Sequence, residues 1–449
     1  MKQIFLIMSF IGVIVSKGIA QQAAPDTQVY HFTVADCVNY AYTHQHDVVN
    51  SSLDVKSAGY HVKEIIGEGL PQVNGGASFI DYLQVPTTLL PGDFFGKPGT
   101  EVPVKFGVTY SSGLSLNASQ IIFDPNYFIG LAGRKTYKEL YQRSYTRTRI
   151  DVNVNVTKAY YQVLVSAEGL KLLEADISQL KQQLDETVAR NKQGFVEKID
   201  VDRITYQYNS LVTLRENTIR MLGLNYQLLK FQMSMPIEKE LTLKDKLEDV
   251  QLDAKTAEDT NDTTIYHNRI EYNLLETQKR LYQYDVTSKK GQFLPKLSAN
   301  FSYAPAFQSN TFSSLYSANY QSAYVGLTLS VPIFTGLQHI NQLRQSQITV
   351  LKSQDDLIEM KNTINLQVYQ SRVSYINGLQ TLNDQKKNRE LAQEVLRVSK
   401  IKYQQGVGSS IEVTQAQTAV QDADNSYIQG LYNALISKVD LDKAYGRIK

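Results

Sequence analysis

The sequence predicts a mixed α and β membrane protein built from two internal repeats. Very long helices carry a few short barrel-type strands, too few in one chain to close on themselves. Three observations lead there: the placing of the prolines, stretches where hydrophobicity alternates residue by residue, and motifs that recur at a near-constant offset.

The prolines stand at 25, 71, 86, 91, 98, 103, 125, 236, 295, 305 and 332. None lies between Pro125 and Pro236, and none follows Pro332. Proline inside a helix costs about 3 kcal/mol, so these two spans, rich in Gln, Lys, Glu, Leu, Asn and Ala, permit helices of unusual length. In the first, apolar or small residues recur in steps of three and four at Val156, Tyr160, Val163, Ala167, Leu170, Leu173, Ile177, Leu180, Leu184 and Val188. The second repeats the stripe at Val413, Ala416, Val420, Ala423, Tyr427, Leu431 and Leu435. Such steps keep one face toward a partner helix. A helix from Pro125 to about Lys192 would run about 100 Å at about 1.5 Å per residue, more than a compact globule can hold. Ile150–Val156 alternates strictly and could be read as a strand; the helical spacing that resumes directly after it favours helix.

Elsewhere the period is two. Val104, Phe106, Val108, Tyr110, Leu114 and Leu116 alternate with Lys105, Gly107, Thr109, Ser111, Gly113 and Ser115. Leu297, Ala299, Phe301 and Tyr303 alternate with Ser298, Asn300 and Ser302, and Ala323, Val325, Leu327, Leu329, Val331 and Ile333 share one side of a further run. A weaker case, interrupted by Asp81, covers 73–83. The expected strands are thus about 73–83, 104–118, 297–307 and 323–333, joined by exposed loops over 84–103 and 309–321. Alternation over about ten residues, with small or hydroxyl side chains on the polar side, matches an outer-membrane barrel strand between lipid and water. A soluble sandwich edge alternates in the same way; export and the many tyrosines, 29 with no Trp, favour the membrane. The smallest familiar barrels need about eight strands, and an open edge in lipid leaves backbone groups unsatisfied. Copies of the chain must therefore pool their strands, in a number this arithmetic does not fix.

The motifs repeat in order. Gly67-Glu-Gly-Leu-Pro71 is echoed by Gly291-Gln-Phe-Leu-Pro295, and Ile122-Phe-Asp124 by Ile333-Phe-Thr335. Gln193-Gly-Phe195 with Ile199-Asp-Val201 is echoed 212 residues on by Gln405-Gly-Val407 with Ile411-Glu-Val413. The expected division is a signal peptide over 1–20, a first repeat over 21–235, a charged linker over 236–262 and a second repeat over 263–449. The signal reading rests on Lys2, the apolar run Ile4–Val15, and Gly18 and Ala20 before a cleavage point. A buried N-terminal helix is the alternative. Nothing later approaches the roughly 20 consecutive apolar residues of a membrane-spanning helix.

Composition removes several functions. The chain has 449 residues with 46 Lys+Arg and 44 Asp+Glu; without Lys2 and Lys17, 44 of each sign remain. A neutral chain with no basic tract offers no footprint for nucleic acid. The single cysteine, Cys37, excludes an intrachain disulfide and a multi-cysteine metal site. His44-Gln-His46 puts its imidazoles on different helix faces, so no metal and no cofactor is expected. Gly406-Val-Gly408-Ser-Ser lacks the lysine and spacing of a phosphate loop, and no catalytic constellation is discernible; the chain reads as no enzyme.

With these residues together, the sequence resembles the TolC family of outer-membrane efflux proteins. The resemblance lies in the duplicated layout, Cys37-Val-Asn-Tyr-Ala41, the Leu-Pro turns at Pro71 and Pro295, Val331-Pro-Ile-Phe-Thr-Gly336, and Tyr403-x-x-Gly406 followed by Ile411-Glu-Val413. It implies a homotrimer sharing a twelve-stranded barrel, four strands per subunit, in the outer membrane of a Gram-negative bacterium, with a long α-helical barrel reaching into the periplasm. It implies the role of passive exit duct for an inner-membrane pump, met through a periplasmic adaptor protein. A type I protein secretion duct shares this architecture, and an exported coiled-coil scaffold without a pore is the remaining alternative.

The resemblance also assigns residues. The turns carrying Gly194 and Phe195, and Gly406, Val407 and Gly408, would be periplasmic tips that contact the adaptor; the glycines also simply suit tight turns. Glu412 stands where the family has an acidic ring at the tunnel constriction, Asp200 is its duplicate, and Gln415 replaces a frequent second acid. Symmetry-related carboxylates in a narrow pore would favour cations; as helix N-terminal acids the same residues need only complement the dipole. Tyr403 is expected to tie the closed tip to a neighbouring helix, with Asp200 as partner, and Asp202 is a weaker candidate.

Overall fold

A computed structural model describes residues 29–96, 98–247, 250, 252–253 and 265–449. The expected signal peptide lies outside these residues. In chain order the elements are β1 (Tyr30–Phe32), α1 (Val34–His44), α2 (His46–Glu68), β2 (Gln72–Asp81), β3 (Thr87–Pro91), β4 (Glu101–Lys105) and β5 (Tyr110–Phe123). There follow α3 (Pro125–Lys192), α4 (Lys198–Gln232), β6 (Leu241–Leu243), α5 (Ile270–Gly291), β7 (Lys296–Ser309), β8 (Tyr320–Ser330), α6 (Gln338–Gln404) and α7 (Ser410–Ala444). The set α2, β2, β5, α3, α4 recurs as α5, β7, β8, α6, α7, with 68 residues in α3 against 67 in α6 and 35 in each of α4 and α7. β1 and β6 form a small parallel pair that brings the start of the described chain to the segment expected as a linker.

α3 begins where its sequence prescribes. Asp124 is the N-cap and accepts from the Asn126 amide at 2.9 Å, and Pro125, which has no amide to leave unpaired, fills the first helical position. Lys296 of β7 pairs with Asp124 at 2.9 Å and ties the second repeat to this junction. The alternating stretch Ile150–Val156 is helical. Val152, Val154 and Val156 are all buried there, because α3 packs against α1, α2, α4, α5 and α7 and so meets neighbours on opposite sides. Val152, Val156, Tyr160 and Val163 share a core with Cys37, Val38 and Ala41 of α1 and Leu229 of α4. Cys37 is fully buried, and burial pushes its thiol up to about 12, which makes it packing rather than chemistry.

β2, β5, β7 and β8 form one antiparallel sheet in that order. Its register aligns the alternation across all four strands. Val73, Ala118, Phe301 and Val325 make an apolar row, and the next row, Asn74, Asn117, Ser302 and Tyr324, is polar. On the polar face Ser302 donates to Asn117 at 2.8 Å and Asn300 donates to Thr328 at 2.9 Å. Val325, Leu327 and Leu329 on β8 are exposed together, a face with no cover within the protomer. Among the described residues the outer edges of β2 and β8 pair with no other strand.

The second strand departs from expectation. The alternating run 104–118 is interrupted: its first residues belong to β4, which pairs with β3 as a separate hairpin, and β5 starts at Tyr110. Gly107, with φ of 130°, breaks the run. The segment 84–103, expected as a loop, therefore contains most of a hairpin with exposed Phe94 and Phe95 at its tip. No described helix is long and apolar enough to cross a membrane.

Candidate functional site: the tips of the helix hairpins

At about 1.5 Å per residue, α3 and α6 carry their C-terminal ends about 100 Å from the sheet, where each turns back into α4 or α7. The two turns are built alike. In the first, the Phe195 amide donates to the Arg190 carbonyl at 3.0 Å and the Gly194 amide to the Asn191 carbonyl at 3.0 Å. In the second, Val407 donates to Lys402 at 3.0 Å and Gly406 to Tyr403 at 3.1 Å. Both are Schellman closures, which need a left-handed residue at the first position past the cap. Gly194 and Gly406 supply it, with φ of 80° and 76°. Gly408 is required for a different reason: a Cβ there would sit 2.9 Å from the Lys402 Cβ and 3.1 Å from the Tyr403 nitrogen. Phe195 and Val407 hold the position that usually packs against its own helix, yet they are 79% and 75% exposed.

The acids follow these turns. Ser409 caps α7 by accepting from the Glu412 amide at 3.2 Å. The Glu412 carboxylate is exposed, and no hydrogen bond or ion pair to a described residue engages it. Gln415, one helical turn on, shares its face and is also exposed. Asp200 occupies the matching place on α4 but is half-buried, accepting from the Ser410 hydroxyl and pairing with Arg203 at 3.4 Å. That Ser410 bond, with Gln207 donating to the Thr414 carbonyl at 3.5 Å, links the starts of α4 and α7. Asp202, two residues from Asp200, points elsewhere on α4 and is exposed.

Tyr403 does not make the expected bond to Asp200. Its hydroxyl is buried without a partner in the protomer, beside a cavity of about 190 Å³ lined by Gln183, Glu186, Arg190 and Lys400 among others. Asp200 is close enough to act through space: burial raises the Tyr403 phenol, the Asp200 charge adds to this, and Arg190 opposes it. Instead, Asp200 Oδ1 accepts from Ser410 and from Arg203.

Residues that sequence reading passed over lie above the tips. Asp424 of α7 is buried and ion-paired with Arg389 of α6, whose guanidinium also lies 5.2 Å from the Tyr427 ring centre. Gln417 is 1% exposed, with neither end of its amide bonded to protein. Asp176 of α3 is 9% exposed, and burial first, then the Asp424 charge, raises its carboxyl to about 6. Burial also lowers the Lys400 ammonium. A signal existed: Val413, Gln417, Val420, Asp424, Leu431 and Leu435 keep steps of three, four and seven, so two polar residues occupy core positions of α7.

Residues 274–447 match the outer membrane efflux protein family. Outer membrane protein TolC of Salmonella enteritidis is 25% identical over 350 residues, covering 74% of this chain and 69% of that one. The chain is TolC-like. CusC superposes with a TM-score of 0.73 over 95% of both chains at 15% identity, and the Campylobacter jejuni CmeC outer membrane channel with 0.72 over 92% of this chain and 85% of that one at 16% identity. The TolC-like fold thus extends over nearly the whole chain, and its place is the outer membrane.

Proposed function

We propose that three copies of this chain form the outer-membrane exit duct of a tripartite efflux system. It passively conducts small molecules expelled by an inner-membrane pump and delivered through a periplasmic adaptor, and it performs no catalysis. The observation that carries this reading is the open four-stranded sheet. Its apolar face is bare and both of its edges are unpaired among the described residues, a state that lipid does not tolerate. Three such sheets joined edge to edge supply twelve strands, enough for a barrel.

The helices argue the same way. On α6, Ile348, Leu351, Ile358, Leu366, Tyr369, Val373 and Ile376 are exposed at steps of three, four, seven and eight, an apolar stripe with no cover in the protomer. On α4, Leu214, Met221, Leu224, Leu228 and Phe231 are exposed as well. Stripes of this size mark surfaces that other chains cover. In the assembly Glu412, Asp200 and Gln415 stand at the constriction, with Asp202 at its margin, and Tyr403 helps hold the closed tip through a partner outside its own protomer. The exposed Phe195 and Val407, on turns set by Gly194, Gly406 and Gly408, meet the adaptor.

Planar-bilayer conductance of the purified protein, with its mass measured in detergent, tests the assembly. A trimer with single-channel steps is expected; a monomer extracted without detergent would defeat the reading. Glu412→Ala should reduce cation preference, and unchanged selectivity would remove Glu412 from the constriction.

A further inference from the structure

Above the tips, α3, α4 and α7 line an open cavity of about 360 Å³. That volume falls within the roughly 300–1,000 Å³ of small-molecule sites. Its walls have two characters. Leu172 and Leu173 of α3, Leu211, Leu214 and Met221 of α4, and Ile428 of α7 make most of it apolar. The rest is polar: Ser166, Asn217, Thr218, Gln421 and Asn425 are neutral, and its only charged groups are Asp176 from α3 with Asp422 and Asp424 from α7. No lysine, arginine or histidine is among the lining residues.

The three acids are not equivalent. Asp424 is held by Arg389, and Asp422 is exposed at the rim. Asp176 is 9% exposed and has no hydrogen bond or ion pair with any described residue, although it lines the cavity. A largely buried carboxylate with no protein partner is costly, because only water within the cavity is left to solvate it. Arg389 is committed to Asp424, and Lys400 acts on Asp176 only at a distance. A group that would complete this site must bring a positive charge for Asp176 and an apolar body for the leucines.

We propose that this cavity binds an organic cation with an apolar body, an aryl- or alkylammonium, whose charge sits against Asp176. A bare metal ion fits poorly: calcium takes six to eight oxygen ligands and magnesium a near-ideal octahedron, whereas this wall is mostly hydrocarbon. The charge balance also sets the pH response. Asp422 and Asp424 face Asp176 from α7, Arg389 and Lys400 act from α6, and α4 contributes only Leu211, Leu214, Asn217, Thr218 and Met221. Since the carboxyl titrates near 6, protonation weakens binding of a permanently charged ligand below that pH. All lining residues belong to one protomer, although Leu214 and Met221 also stand on the α4 stripe assigned above to a neighbouring copy, so the assembly covers the outer part of the cavity.

The test is isothermal titration of the full-length protein in detergent with benzyltrimethylammonium, whose charge does not titrate. Saturable binding at one site per protomer at pH 7.5 is expected, weakened at least tenfold by Asp176→Asn and several-fold at pH 5. Benzenesulfonate, with a similar ring and the opposite charge, should not bind. Asn425→Lys, which sets a cation at the exposed rim, should weaken binding comparably and decides the matter if the first variant fails to assemble. No saturable binding, equal affinity in the variants, or equal binding of the anion would each overturn the assignment.

Discussion

Asp176→Asn should stabilise the protein at neutral pH, and the size of the gain follows from the site. In the folded chain the carboxyl titrates near 6, against an ordinary 3.8, because it is buried and stands near Asp424. A raised value means that the folded state holds the proton more tightly than the open chain does. The ionised form therefore costs stability; this cost is absent below 3.8 and complete above about 6. At about 1.4 kcal/mol per tenfold difference in proton affinity, the cost reaches about 3 kcal/mol at pH 7.5. The asparagine amide is itself a buried polar group, so the net gain is about 1–3 kcal/mol. Amide hydrogen exchange in the assembled protein reads this locally, free of the need for reversible unfolding of a membrane protein. Exchange of α3 around residue 176 should slow by about ten- to hundredfold in the variant at pH 7.5. The gap should fall below about 1 kcal/mol near pH 4. Equal or faster exchange at pH 7.5, or a gap that acid does not close, would refute the account of Asp176 as an ionised and uncompensated group. Stability given up at a binding position is the common trade between fold and function.

Arg389→Met should cost about 3 kcal/mol or more of the same local stability, since it leaves Asp424 buried without its partner; adding Asp424→Asn should restore most of it. Gly194→Ala and Gly406→Ala should each cost about 1 kcal/mol of tip stability, because both replace a left-handed residue in the same closure. Gly408→Ala should cost about 1–3 kcal/mol through its contact with Lys402 and Tyr403; exchange of the Phe195 amide reports the Gly194 change and that of the Val407 amide the other two. Tyr403→Phe should leave the tip within one protomer at least as stable as before, since the buried hydroxyl has no partner there. A changed conductance with unchanged exchange would place the hydroxyl's bond in another subunit.

The long helices were legible because proline spacing is a chemical prohibition that acts locally. Pro125 opens α3, and nothing forbids helix until the turn at Gln193. The four strands of the sheet were legible because lipid or water on each face imposes a period of two, which the register carries across four strands. The hairpin of β3 and β4 was not, since its alternation merges with that of the following strand and only the backbone at Gly107 separates them. The resemblance pointed to a bond between Tyr403 and Asp200, but in the protomer Asp200 accepts from Ser410, 210 residues away along the chain, and reaches Tyr403 only through space.

The sequence by itself determined the duplicated order of elements, the helix lengths and the tip turns, because each rests on contacts within a few residues. Only the tertiary structure decided that Asp176, Asp424 and Arg389 meet, since they come from three helices distant along the chain. Alone, Asp176 reads as one more acid on a solvated helix. Packed between α3, α4 and α7, it loses most of its water and gains no protein partner.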